Sequence, residues 1–248
     1  MTARPGTVVA ALSIIAVTLA THPLRAQRPA RMELPDDFAA RTERIGIAGF
    51  GGRNAGHYTL GELAGEFTRI ESRFAIADPV YAQNRGRSSF TLAGPGFDGS
   101  VAASCEMRRE AVTIGVITFD PEKMSYHCSF EGTAAPTPAS FVLGEPEPEN
   151  FRARMLALSA RRGEATLGDI TLAIRSVHRY AGSRLTAPMP VGYLIERDGR
   201  AVGGIELTDV EPMVLLPSDE TDAVRAAVLI SALALAVLRD PATSALED

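Results

Sequence analysis

From Ala226 to Leu238 the chain is apolar at every position but Ser231. The composition is helical, Ser218 to Asp222 supply N-cap candidates and first-turn carboxylates, and Arg239 and Pro241 close the run. A surface helix carries a polar stripe, and this one has none. It must therefore be buried on all sides or lie in lipid. Thirteen residues rise only ~20 Å, short of a ~30 Å hydrocarbon core. Asp222 and Arg225 would also have to leave the bilayer. The sequence thus predicts a C-terminal helix over 219–239, buried inside the protein.

What surrounds that helix must be rich in strands. Runs between glycine and proline punctuation read as strands at Arg44–Phe50, His57–Leu60, Glu66–Ser72, Phe74–Asp78, Ser88–Ala93, Ser100–Cys105, Val112–Phe119 and Met124–Phe130. A proline-rich connection over 132–150 interrupts them. Arg152–Leu158 resumes the pattern, Ala165–Val177 reads as a hairpin, and Val191–Ile195 with Ala201–Leu207 flank the Asp198-Gly199 turn. Pro212–Leu216 adds a last strand. About a dozen short strands and one wholly apolar helix predict a mainly β fold, a closed antiparallel barrel of about 12 strands wrapped around the helix. The barrel domain occupies 44–240. Residues 27–43 read as an extended N-terminal tail and 241–248 as a C-terminal one.

A second apolar run, Thr7 to Ala20, follows Arg4 and precedes Ala26. It is short for a membrane span, so residues 1–26 read as a secretory signal peptide; the alternative is an anchor through residues 7–20. No cysteine lies near the junction, which excludes a lipid-modified N-terminus. Removing Arg4 and Arg25 takes the net charge from −5 to −7. The alanine- and arginine-rich style points to a bacterial chain and so to the periplasm. Basic residues number 25, and only Lys123 is lysine. A net-acidic chain without a basic run is no nucleic-acid binder.

Cys105 and Cys128 are the only cysteines, and an even count in an exported chain favours a disulfide. Geometry opposes it if Val112–Phe119 and Met124–Phe130 form a hairpin turning at Asp120–Lys123. Cys105 would then lie two strands from Cys128, ~9.6 Å away. A disulfide needs Cα atoms within about 7 Å. The bridge requires another strand order or a bulge, and the alternative is two buried thiols.

The stretch Gly192–Leu207, then Thr208-Asp-Val-Glu-Pro-Met-Val-Leu-Leu-Pro217-Ser-Asp219, then Asp222–Leu238 resembles the tubby-like barrel superfamily of tubby C-terminal domains and phospholipid scramblases. The resemblance covers about a quarter of the chain and implies a 12-stranded barrel around a central C-terminal helix. It does not bring the family's ligand sites with it. The calcium-ligand positions of scramblases would fall on Thr208, Val210, Pro212, Val214, Leu216 and Asp219, mostly side chains without oxygen. The basic, lysine-containing phosphoinositide patch of tubby domains has no counterpart in a chain with one lysine.

No catalytic motif is present. His57, His127 and His178 lack metalloprotease spacing, and no G-x-S-x-G elbow occurs. There is no metal-ligand pattern, and no cofactor is implied. Gly46 to Gly56 is glycine-rich but lacks the Gly-Lys-Ser/Thr ending of a phosphate loop, and reads as a turn. Arginines are the remaining candidates for a binding surface: Arg69, Arg73, Arg85 and Arg87 in one group, Arg152 and Arg154 with Arg161 and Arg162 in another. Guanidinium forks suit phosphate or carboxylate. The expected function is that of an exported, non-catalytic binding or structural module of the cell envelope, taking a lipid or other anionic amphiphile. Two other readings fit the same sequence: a hydrolase with a site assembled across strands, and a partner-binding subunit of an envelope complex.

Overall fold

The computed structural model describes residues 30–76, 81–114, 117–146 and 160–240, with backbone alone at 73–76, 81–82, 111–114 and 117–122. A short helix α1 (Asp36–Arg41) leads into β1 (Thr42–Ala48), β2 (Ala55–Leu60), β3 (Leu63–Ile76), β4 (Tyr81–Ala93), β5 (Ser100–Ile114) and β6 (Ile117–Glu131). Then follow β7 (Ala139–Gly144), β8 (Arg162–Leu167), β9 (Ile170–Val177), β10 (Gly192–Arg197), β11 (Arg200–Glu206) and β12 (Met213–Pro217), and finally α2 (Asp222–Val237). Each strand pairs antiparallel with the next. β1 pairs with β12, from Thr42↔Pro217 to Gly46↔Met213, and this closes a 12-stranded barrel.

The expected mainly β barrel is present, and α2 fills it. The helix packs against β3, β4, β9, β11 and β12, strands from different sides of the wall. Val228, Ala232, Leu233, Ala234 and Val237 are wholly buried. The helix lies close against Gly203 of β11, where a Cβ would overlap the Val228 methyls. Asp198 (φ 53°) and Gly199 (φ 77°) turn the β10–β11 hairpin, the left-handed pair that a two-residue turn of this kind needs.

Several strand boundaries differ from expectation. Glu66–Ser72 and Phe74–Asp78 belong to one strand, β3. Ser100–Cys105 and the start of Val112–Phe119 belong to one strand, β5, and the expected turn at Asp120–Lys123 lies inside β6. The polar residues Glu106, Arg108 and Glu110 that seemed to interrupt the pattern are the outward half of a long alternation. Cys105 and Cys128 therefore sit on neighbouring strands and face each other in register, with Cα atoms 4.1 Å apart, and they form a disulfide. With no turn at Asp120–Lys123, no strand intervenes between the two cysteines. Part of the proline-rich 132–150 connection is a strand, β7, paired on both sides. The expected strand Arg152–Leu158 lies outside the described residues, as do the segments assigned to a signal peptide and a C-terminal tail.

The N-terminal segment is no free tail from residue 31 onward. Met32 (1% exposed) and Phe38 (0%) pack with Val177, Leu194, Ala201 and Leu215 in a second apolar cluster on the outside of β9–β12. The Met32 amide donates to a buried Glu206 Oε2 at 2.8 Å. Strands β10 to β12 are thus covered on both faces, which is why they read as continuous apolar runs rather than alternating ones.

Gly203→Ala is expected to lower the unfolding free energy by about 1–3 kcal/mol, because the helix cannot retreat inside a closed wall. Urea denaturation measures it. A loss below half a kilocalorie would mean that the helix is free to shift.

Candidate functional site

Of the eight arginines chosen from the sequence, the structure divides the first group and leaves part of the second outside the described residues, namely Arg152 and Arg154. Arg69 points into the barrel rather than out of it. It continues the inward series Leu63, Phe67 on β3 and is 8% exposed. Its guanidinium lies over the stacked rings of Phe50 and Phe67, 5.1 and 5.0 Å from their centroids. It donates to the Arg53 carbonyl and, at 3.5 Å, to the Ala236 carbonyl at the end of α2. Burial and the nearby Arg239 charge lower its pKa to about 10, so it stays charged at neutral pH. A cation beside a helix C-terminus complements the macrodipole. Arg69 is placed as a structural cation inside the wall, apart from the outward-facing Arg85 and Arg87.

Arg161 is a parallel case. It is 1% exposed and bidentate to Asp240, with Nε–Oδ2 at 2.9 Å and Nη2–Oδ1 at 2.7 Å. Asp240 follows α2, so this pair fixes the exit of the helix. The glycine-rich turn between β1 and β2 serves the same end. Gly52 and Arg53 offer carbonyls to Arg239 and Arg69. A phosphate loop presents N–H groups to an anion, whereas these carbonyls face guanidinium groups.

Arg85 and Arg87 point outward from β4 and come together with an arginine that the sequence reading passed over, Arg108 of β5. Arg85 stands directly opposite Arg108, and Arg87 opposite Glu106. Glu106 is shared, 3.3 Å from Arg108 and 3.7 Å from Arg87. The next carboxylate along β5, Glu110, accepts a hydrogen bond from Gln83. Among the described residues, Arg85 has no carboxylate partner. Like charges directly opposite on neighbouring strands repel. The cleft between these side chains measures about 350 Å³ and is bordered by Ile70, Ser72, Arg85, Arg87, Glu106 and Arg108. Ile70 is 66% exposed. Arg73 lies on β3 opposite Asn84, one register step beyond Ser72↔Arg85. Arg108 was missed because Glu106–Ala111 was read as a break between strands.

The histidines are dispersed. His57 is exposed and faces Glu66 at 3.4 Å, and His127 is exposed on β6. His178 is half-buried, with Nε2 3.0 Å from Ser176 Oγ and Nδ1 3.2 Å from the Ala187 carbonyl. That carbonyl calls for the Nδ1–H tautomer, which leaves Nε2 to accept from the serine. Desolvation lowers the His178 pKa. Ser176 Oγ also accepts the Arg161 amide at 2.9 Å. Among the described residues no carboxylate is hydrogen-bonded to the ring, and the arrangement ties the end of β9 to the connection before β10.

Among the described residues, no three His, Cys, Asp or Glu side chains gather as a metal site, and no helix is long and apolar enough to cross a membrane. No family model, curated protein or solved structure matches this chain.

The inward and outward arginines should separate cleanly in stability. Arg69→Met is expected to cost about 3 kcal/mol through unpaired carbonyls and lost ring contacts, and Arg87→Ala less than about 0.5. Equal effects in denaturant titrations would contradict the assignment.

The depressed His178 pKa carries a sign. Such a group adds stability above its ordinary value of 6.5 and loses it as the pH falls through the lower folded value. Hydrogen exchange at the Ala187 amide should accelerate over that acid range relative to the intrinsic rate, and His178→Gln should remove the step.

Proposed function

We propose that this chain is an exported binding module of the cell envelope that takes an anionic amphiphile on the outer wall of its barrel, over β3–β5. The observation that carries the reading is Arg85 against Arg108, two exposed guanidinium groups in direct register, with one carboxylate, Glu106, shared between Arg108 and Arg87. An oxyanion placed between two such forks replaces repulsion with bidentate hydrogen bonds. Exposed Ile70 gives an alkyl chain a surface to lie on. The interior is occupied by α2, which leaves the exterior of the barrel for a ligand. The Cys105–Cys128 disulfide supports an oxidising compartment, and with the N-terminal signal pattern it favours export. The tubby-like resemblance supports the same class of ligand only at the level of scaffold, since its known sites do not map onto this sequence.

The test is a thermal shift with decyl phosphate held below its micelle threshold, against an uncharged decyl maltoside control. The phosphate is expected to raise Tm and the maltoside to leave it unchanged. Arg85→Ala should keep or slightly raise the ligand-free Tm at low salt, since it removes a repulsion, and should abolish the response to phosphate. An equal response in Arg85→Ala would remove the wall as the site.

A further inference from the structure

We propose that the cleft between β1, the β2–β3 turn and the second turn of α2 binds a small cationic amphiphile, an alkylammonium, with its chain inside and its ammonium at the rim. The cleft begins at the seam of the barrel. β1 pairs with β12 from Thr42↔Pro217 to Gly46↔Met213, but with β2 only at Ile47↔Leu60 and Ala48↔Thr59. Toward the start of α2 the wall therefore parts between β1 and β2. A cleft of about 290 Å³ lies there, lined by Ile45, Leu60, Phe97, Leu216, Ala226 and Leu229.

This apolar lining reaches water. Ile47 is wholly buried, whereas Ile45, two residues nearer the mouth, is half-buried. Leu229 is 9% exposed, and the other buried apolar residues of α2 are 4% exposed or less. Covering such a recess with hydrocarbon is favourable. Its volume lies at the lower limit of small-molecule sites, roughly 300 Å³, so the ligand is small.

The charge at this end of the barrel selects a cation. The connections on the side where α2 begins are 61–62, 94–99, 132–138, 168–169, 198–199 and 218–221. They carry Glu62, Asp98, Asp169, Asp198, Asp219 and Glu220, and no lysine, arginine or histidine. Glu43, Glu131 and Asp222, near the adjoining element ends, add further carboxylates. The guanidinium groups beside them are those of Arg41, Arg197, Arg200 and Arg225, and each is engaged. Arg41 and Arg200 pair with Asp219 and Glu220, Arg197 lies 3.9 Å from Asp198, and Arg225 donates to the Pro217 carbonyl. Glu62 and Asp222 border the cleft itself. Glu43 stands in register with the inward-facing Leu216, and so on the same side of the sheet. Among the described residues, Glu43, Glu62 and Asp222 have no ion-pair partner. An ammonium at the rim supplies one while its chain covers the lining. The cleft shares no lining residue with the arginine wall, so this inference does not rest on the proposed function.

The test is methyl NMR of the folded chain titrated with octylammonium below its micelle threshold at low ionic strength. Saturable shifts are expected at the Ile45 and Leu229 methyls, with affinity rising about fourfold per methylene from butylammonium to octylammonium. Octanoate has a similar chain and the opposite charge, and should bind about tenfold more weakly or not at all. Glu62→Gln should weaken octylammonium about threefold, and Ala226→Phe, which fills the cleft, about tenfold. Glu62 is exposed and Ala226 half-buried at the opening, so neither variant removes a core contact. Arg85→Ala should leave the affinity unchanged. Octanoate binding as tightly as octylammonium overturns the proposal. So does affinity independent of chain length, which would mean that surface carboxylates alone hold the amine. Unmoved Ile45 and Leu229 methyls, or an unchanged affinity in Ala226→Phe, overturn it as well.

Discussion

A helix buried without a break from Ala227 to Val237 leaves its polar groups there with no water to bond, and several polar side chains inside this barrel answer that problem. At the start of α2, Thr221 Oγ1 accepts from the Val224 amide, and Arg225 reaches back to the Pro217 carbonyl. Near its end, Tyr126 donates to the Ala234 carbonyl at 2.8 Å and Arg69 to that of Ala236. Arg161 and Asp240 then hold the exit. Ser231, the one polar residue of the run, donates to the Ala227 carbonyl one turn back. Buried polar groups cost stability unless paired, and here each named group has a partner along the helix axis.

Strand parity decides which arginines face the helix and which face solvent. A side chain on a barrel strand faces the helix or the solvent according to parity, and the parity of β3 sends Arg69 inward while that of β4 sends Arg85 and Arg87 outward. The wall then carries Arg85 directly opposite Arg108, with Glu106 the carboxylate beside Arg108 and Arg87.

Much of the architecture was legible because the apolar run at 226–238 admits few environments. A helix with no polar stripe demands an enclosing wall, and the strand-like remainder of the chain offered only a sheet to enclose it. The β10–β11 hairpin was legible from Asp198-Gly199. Strand lengths were not. Alternation in β5 places Glu106, Arg108 and Glu110 outward, and such polar positions read locally as a break, although Cys105 and Met107 keep the inward rhythm. That one misreading displaced the turn, argued against the disulfide and hid Arg108. The docking of Met32 and Phe38 was equally hidden, because two apolar residues in a polar stretch carry no period. Arg69 looked like its neighbours in the sequence, since nothing local reveals parity when a strand's start is placed three residues late.

The seam between β1 and β12 has a consequence for the order of assembly. The first strand of the barrel finds its partner only in the last strand, and the filler of the barrel follows that strand. Until the final quarter of the chain is available, the other eleven strands have neither closure nor a core. Pairings of this sequence separation form slowly, after a large loss of chain entropy. The Cys105–Cys128 bridge lies in the local, early part of this topology, within a hairpin that needs nothing from the C-terminus. Closure and filling of the barrel thus both depend on the segment from Met213 to Val237, and the hairpins form one object only with it.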